Sequence, residues 1–163
     1  MQFLFPDLTS RWAGWASLVL RLMVGYGFMQ HGFAKLARGP ENFAGILQAL
    51  GVPMPMLLSW VTILVEILGG AAVLLGALVS LAAIPMAVVL LVAIVTVHLP
   101  NGFSSIKLQS VTATGAHFGQ PGYETDLLYL ACLAVLVLIG AGRWSADAVL
   151  RRLAQSHSGH LPK

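Results

Sequence analysis

His31, Lys35, His98 and Glu124 are the side chains of this sequence best suited to moving protons. Two imidazoles that titrate near neutral pH, an ammonium and a carboxylate can exchange protons with a redox headgroup if the chain brings them together. Interfacial anchoring and helix capping are the competing explanation, since Lys35 can snorkel and Glu124 suits a helix N-terminus. A second set is Arg21 in LVLRLMVGYGF and Glu66 in ILVEILGG, each inside a long apolar run. An isolated charge in hydrocarbon costs about 2.5 to 3.5 kcal/mol on insertion scales, so the two are expected to pair as Arg21–Glu66. That pair either fixes helix register or serves a functional site.

Metal chemistry has less support. No HxxxH or Glu-x-x-His pair accompanies His31 and His98, so no metal site is expected, and haem ranks below a quinone as cofactor. His157 and His160 resemble a weak, adventitious metal site near the C-terminus. Cys132 is the one cysteine, which excludes an internal disulfide, a CxxC redox pair and a thiolate-ligated cluster. Any electron carrier must come from outside the chain, through a soluble or membrane redox partner.

These residues have to be positioned by apolar helices. Of 163 residues, 58% are hydrophobic and 9% charged, with a mean hydropathy of +0.84, which is membrane-protein composition. A spanning helix needs about 20 apolar residues. Four stretches qualify, about 12–36, 56–79, 81–99 and 123–141, with Trp12, Trp15, Trp60 and Trp144 near their ends. Ser80 is the expected N-cap of the third. Arg21 then lies roughly 14 Å and Glu66 roughly 15 Å from a span end, both near the midplane. Arg21, Gly25, Phe28, Gly32 and Lys35 share one helix face, and Ser59, Thr62, Glu66, Gly69, Gly70 and Val73 share another.

The predicted fold is all-α: a four-helix transmembrane bundle with a short interfacial helix in the first outer loop and a short cytoplasmic C-terminal helix. One domain is expected over residues 1–155, followed by a disordered tail over 156–163. The loop helix is ENFAGILQAL, where Phe43, Ile46, Leu47 and Leu50 follow helical spacing. Ser145 caps the C-terminal helix, SADAVLRRLA, whose basic residues suit an anionic leaflet. The connection PNGFSSIKLQSVTATGAHFGQPG is long enough to serve as a lid. Arg11, Arg143, Arg151, Arg152 and Lys163 fall on one side and Lys35, Arg38 and Lys107 on the other, which predicts cytoplasmic termini. MQFLFPDLTS lacks the charged n-region and cleavage site of a signal peptide, so none is expected. No basic stripe with interleaved aromatics points to nucleic acid; the expected partner is the lipid bilayer, with homo-oligomerisation open.

Arg21-x-x-x-Gly25-x-x-Phe28-x-x-His31-Gly32-x-x-Lys35, Glu66-x-x-Gly69-Gly70, His98 followed by Asn101-Gly102-Phe103, and Gly122-Tyr123-Glu124 together resemble the DoxX family of bacterial and archaeal membrane proteins. The resemblance covers about residues 14 to 147. It implies a multi-pass protein of the prokaryotic cytoplasmic (inner) membrane, related to small subunits of thiosulfate:quinone oxidoreductase or a terminal quinol oxidase, with roles in sulfur handling and redox stress. The function it implies is a quinone-binding component of an oxidoreductase system. His31, His98, Glu124 and Lys35 are then the candidate catalytic residues, and Arg21, Glu66, His31, His98, Phe28 and Tyr123 the candidates for holding the quinone. A non-enzymatic scaffold of a redox complex and a proton-coupled or small-molecule transporter are the alternatives.

Overall fold

The computed structural model describes residues 8–158. The chain is mostly helical. Helix α1 (Leu8–Arg38) is followed by α2 (Pro40–Ala49), then α3 (Pro55–Leu75), α4 (Val79–Asn101), a β-hairpin of β1 (Leu108–Thr112) and β2 (Gly115–Phe118), α5 (Glu124–Ile139) and α6 (Ala146–Ser158). Of these, α3 and α4 are long and apolar enough to cross a membrane. The expected tail lies outside the described residues from 159 onward, and 156–158 continue α6.

Contacts run in a cycle: α1 packs on α3, α3 on α4, α4 on α5, and α5 back on α1. Val24, Phe28, Val73, Met86, Leu90, Leu133 and Leu136 fill the middle. Outward-facing aliphatic side chains on all four helices are exposed, among them Val19, Leu68, Leu81, Ile84 and Leu138. Such an apolar exterior suits lipid, where helices associate through close packing rather than through exclusion of water. The glycines make that packing possible. A Cβ on Gly25 would stand 2.6 Å from the Gly70 carbonyl oxygen, and one on Gly70 would stand 2.8 Å from that of Gly25, so α1 and α3 cross backbone to backbone.

Both α3 and α4 contain one π-helical turn, Val65–Gly69 and Ile94–His98. Such a turn adds a residue to the coil and turns the side chains it carries. Glu66 lies in the first and His98 closes the second.

The turn between α3 and α4 differs from the expected one. Helix α3 stops at Leu75 rather than continuing to about residue 79, because Gly76 adopts the left-handed conformation (φ 70°) and closes it. Helix α4 begins at Val79 behind Leu78, itself left-handed at φ 50°, so Ser80 is not its N-cap. In α2, Ala44 and Leu47 are buried while Ile46 is exposed, as is Leu50 just after the helix. Ser59 Oγ donates to the Pro40 carbonyl at 2.7 Å, which ties the start of α2 to α3.

The long connection is an ordered arm. Its base is stitched by Tyr123 N–H to the Gly102 carbonyl (3.1 Å), Glu124 N–H to that of Phe103 (3.0 Å) and Gly122 N–H to that of Ser104 (2.9 Å). The Phe103 and Tyr123 rings meet edge to face. Above this base β1 and β2 pair antiparallel with an irregularity between Leu108 and Ser110, and both strands are exposed throughout.

Candidate functional site

The expected Arg21–Glu66 pair does not form. Lys35 Nζ takes Glu66 instead, at 2.5 Å from Oε1 and 2.6 Å from Oε2. Lys35 is one helical turn from the end of α1, and the backbone at Gly32, bare of a side chain, lets the Glu66 stem settle against it. The Phe43 ring of α2 covers the ammonium, with its centroid 5.1 Å from Nζ. The Glu66 side chain is 6% exposed and that of Lys35 25%, so the carboxylate is enclosed and the cation is partly open. Depth explains the swap: the same helix face carries both Arg21 and Lys35, but Glu66 lies beside the end of α1 that holds Lys35.

Arg21 has other partners. Its guanidinium, 3% exposed, donates from Nε to the Val73 carbonyl (3.2 Å), from Nη2 to Leu74 (3.0 Å) and from Nη1 to Ala141 (2.7 Å) and Trp144 (2.9 Å). Helices leave their last carbonyls without intrahelical donors and carry negative partial charge there. Arg21 satisfies those of α3 and of the turn after α5, which is a reason for a guanidinium inside an apolar helix that needs no counter-ion. Gly76 leaves room for it, since a Cβ there would stand 2.8 Å from Cζ.

A second pair was not foreseen from the sequence. His98 Nδ1 lies 2.5 Å from Asp126 Oδ2, with side-chain exposures of 25% and 10%. With Asp126 as the acceptor, Nδ1 is the donor of this bond and Nε2 is the ring nitrogen it does not use. The signal for Asp126 is its position in YETDLLYLA, an acidic residue where the apolar run of α5 has begun.

The remaining candidates separate. Glu124 accepts from the Ser105 N–H at 3.0 Å and so fastens the arm. Tyr123 packs on Phe103 at the arm's base. Phe28 is a core residue, with its ring edge to face with that of Tyr129. His31 is exposed on α1 and its ring makes no hydrogen bond among the described residues. The expected four-residue cluster is therefore two acid–base pairs, Lys35–Glu66 and His98–Asp126, together with an arm anchor and an outward-facing histidine. Among the described residues no group of three or more His, Cys, Asp or Glu is placed to hold a metal ion.

The sequence model of the DoxX family matches residues 16–99. This chain belongs to the DoxX family. The part matched by the DoxX model includes Arg21, Lys35, Glu66 and His98, and ends before the arm, Asp126 and α6. An uncharacterized membrane protein of Mycobacterium tuberculosis is 32% identical over 141 residues, covering 84% of this chain and 82% of that protein. No solved structure matches. Membership of the DoxX family, together with α3 and α4, makes this a membrane protein with transmembrane helices in contact with the lipid bilayer.

Proposed function

We propose that this protein is a four-helix transmembrane bundle of the cytoplasmic membrane, with both termini on the cytoplasmic side and α2 at the opposite interface, that binds a quinone for a membrane redox system. The observation that carries the reading is the pairing of two enclosed carboxylates, Glu66 and Asp126, with two partly open proton-bearing groups, Lys35 and His98. Each pair stands at a π-helical turn, a feature frequent at functional sites.

The donor set fits a quinone. Lys35 has three N–H donors and Glu66 uses two, while the Nε2 of His98 is not taken by Asp126. Both groups are thus able to donate toward carbonyl oxygens of an apolar ring that approaches from lipid. The bound quinone supplies two-electron, two-proton redox chemistry, with electrons from a partner protein or soluble reductant. The chain's own residues bind and orient: Glu66 holds the Lys35 ammonium in place, Phe43 shields it from water, and Asp126 fixes the ring orientation of His98. Protons reach the site through Lys35 and His98, whose side chains are each 25% exposed.

The test is thermal unfolding of the detergent-purified protein with a short-chain ubiquinone or menaquinone analogue. A quinone-dependent rise in Tm that is lost in both Lys35→Met and His98→Gln is expected. No rise in the native protein, or a rise that both variants keep, overturns the reading.

A further inference from the structure

The end of the molecule that carries α6 contains a cleft made by neither ion pair. Gly76 and Leu78 turn α3 into α4, and Gly140 and Gly142, at φ 76° and 77°, lead α5 toward α6. Helix α6 is then stapled to the first turn by a reciprocal pair of bonds. Asp147 Oδ2 accepts from Leu78 N–H at 3.0 Å, and Asp147 N–H donates to the Gly76 carbonyl at 3.2 Å. Between the turn and the helix is an open cleft of about 570 Å³. One wall is apolar, with Leu78, Leu81 and Ile139 each more than half exposed. The other carries the exposed Arg143 and Arg151. Asp147 is the one carboxylate of the lining, bound to the Leu78 N–H, and stands against two arginines, so the net charge facing a ligand is positive.

The surroundings set the level of this cleft in a bilayer. Trp15 and Trp144 pack together with ring centroids 6.0 Å apart, and both are over two-fifths exposed. Exposed indoles of this kind sit at the boundary between headgroups and acyl chains. Val149 and Leu153, also exposed, each lie about 160° around α6 from Arg151 when stepped by about 100° per residue. A helix with that division lies along the interface.

We infer that the cleft binds the headgroup of an anionic glycerophospholipid, its phosphate between Arg143 and Arg151 and its acyl chains leaving past Leu78, Leu81 and Ile139. Guanidinium groups match phosphate geometry through paired N–H donors. The apolar wall distinguishes a lipid from free phosphate, which has no use for it. This assignment rests on the chain being a membrane protein and is independent of the quinone reading.

The experiment is native mass spectrometry of the full chain after equilibration in mixed micelles of equal phosphatidylglycerol and phosphatidylcholine. The native protein is expected to retain phosphatidylglycerol over phosphatidylcholine by roughly tenfold, from two arginines near a headgroup. Arg143→Gln/Arg151→Gln is expected to bring the ratio near one, while Arg152→Gln, outside the cleft, keeps it. If the double variant fails to fold, Arg151→Gln alone is read in its place, with a partial loss expected. Absence of a preference, or an equal loss in Arg152→Gln, overturns the site in favour of diffuse surface attraction. Displacement of the lipid by millimolar inorganic phosphate overturns the lipid assignment in favour of a soluble phosphate.

Discussion

Arg21 and Lys35 occupy one face of one helix, yet they do different work. Arg21 gives four N–H donors to backbone carbonyls and so replaces the solvation that the ends of α3 and α5 would lack in lipid. Arg21→Leu removes a donor from each of those carbonyls and is expected to lower stability by about 3 kcal/mol, measured by thermal or denaturant unfolding in mild detergent. Arg21→Lys keeps the charge but not the fork, and is expected to lie between the two. For Lys35–Glu66 the expectation is a cycle. Lys35→Met or Glu66→Met alone costs about 2 kcal/mol or more, because one polar group loses its partner or one charge is left alone in an enclosed place, whereas Lys35→Met with Glu66→Met returns to within about 1 kcal/mol of the native protein. A double variant no more stable than the singles would show that the pair does not act as a unit.

At the level of elements, the π-helical turns are where sequence periodicity stops being informative. The stripe Arg21, Gly25, Phe28, Gly32 and Lys35 was legible because α1 is regular, and its five members do face the interior or lie at its edge. The partner of Glu66 was not legible. Depth counted from the ends of an apolar run assumes straight α-helices and the right boundaries, and α3 both ends four residues early and carries an extra residue in its coil. His98 was recognised as a candidate, but Asp126 was missed because contact between α4 and α5 depends on how the two helices are rotated. Deleting Val95 should restore regular α-helix without changing the phase of either flank. The shortened protein is expected to fold, by circular dichroism and size exclusion, and to lose the quinone-dependent rise in Tm. Retention of that rise would show that the turn serves packing alone.

For the whole molecule, composition and run length identified a membrane protein, and the family resemblance rested on residues spread along the chain. What stayed hidden is long-range. The Asp147 staple joins residues 69 positions apart, and nothing in SADAVLRRLA marks that its acidic residue caps another helix's turn. Asp147→Ala is expected to release α6, so that limited trypsin digestion at Arg151 and Arg152 speeds up several-fold while the helices α1 to α5 stay protected. Equal digestion rates would mean that Ser145, whose Oγ caps the Ala148 N–H at 3.1 Å, holds α6 without the staple.

The hairpin arm has a practical consequence for mapping this protein in cells. Its reversal at Ala113 and Thr114 stands clear of the helices, and both strands that lead to it are exposed. An epitope or a viral-protease recognition sequence inserted there disturbs no buried backbone. Such an insert becomes a reporter of sidedness: antibody labelling of intact spheroplasts, set against permeabilised ones, reads directly which compartment the arm faces.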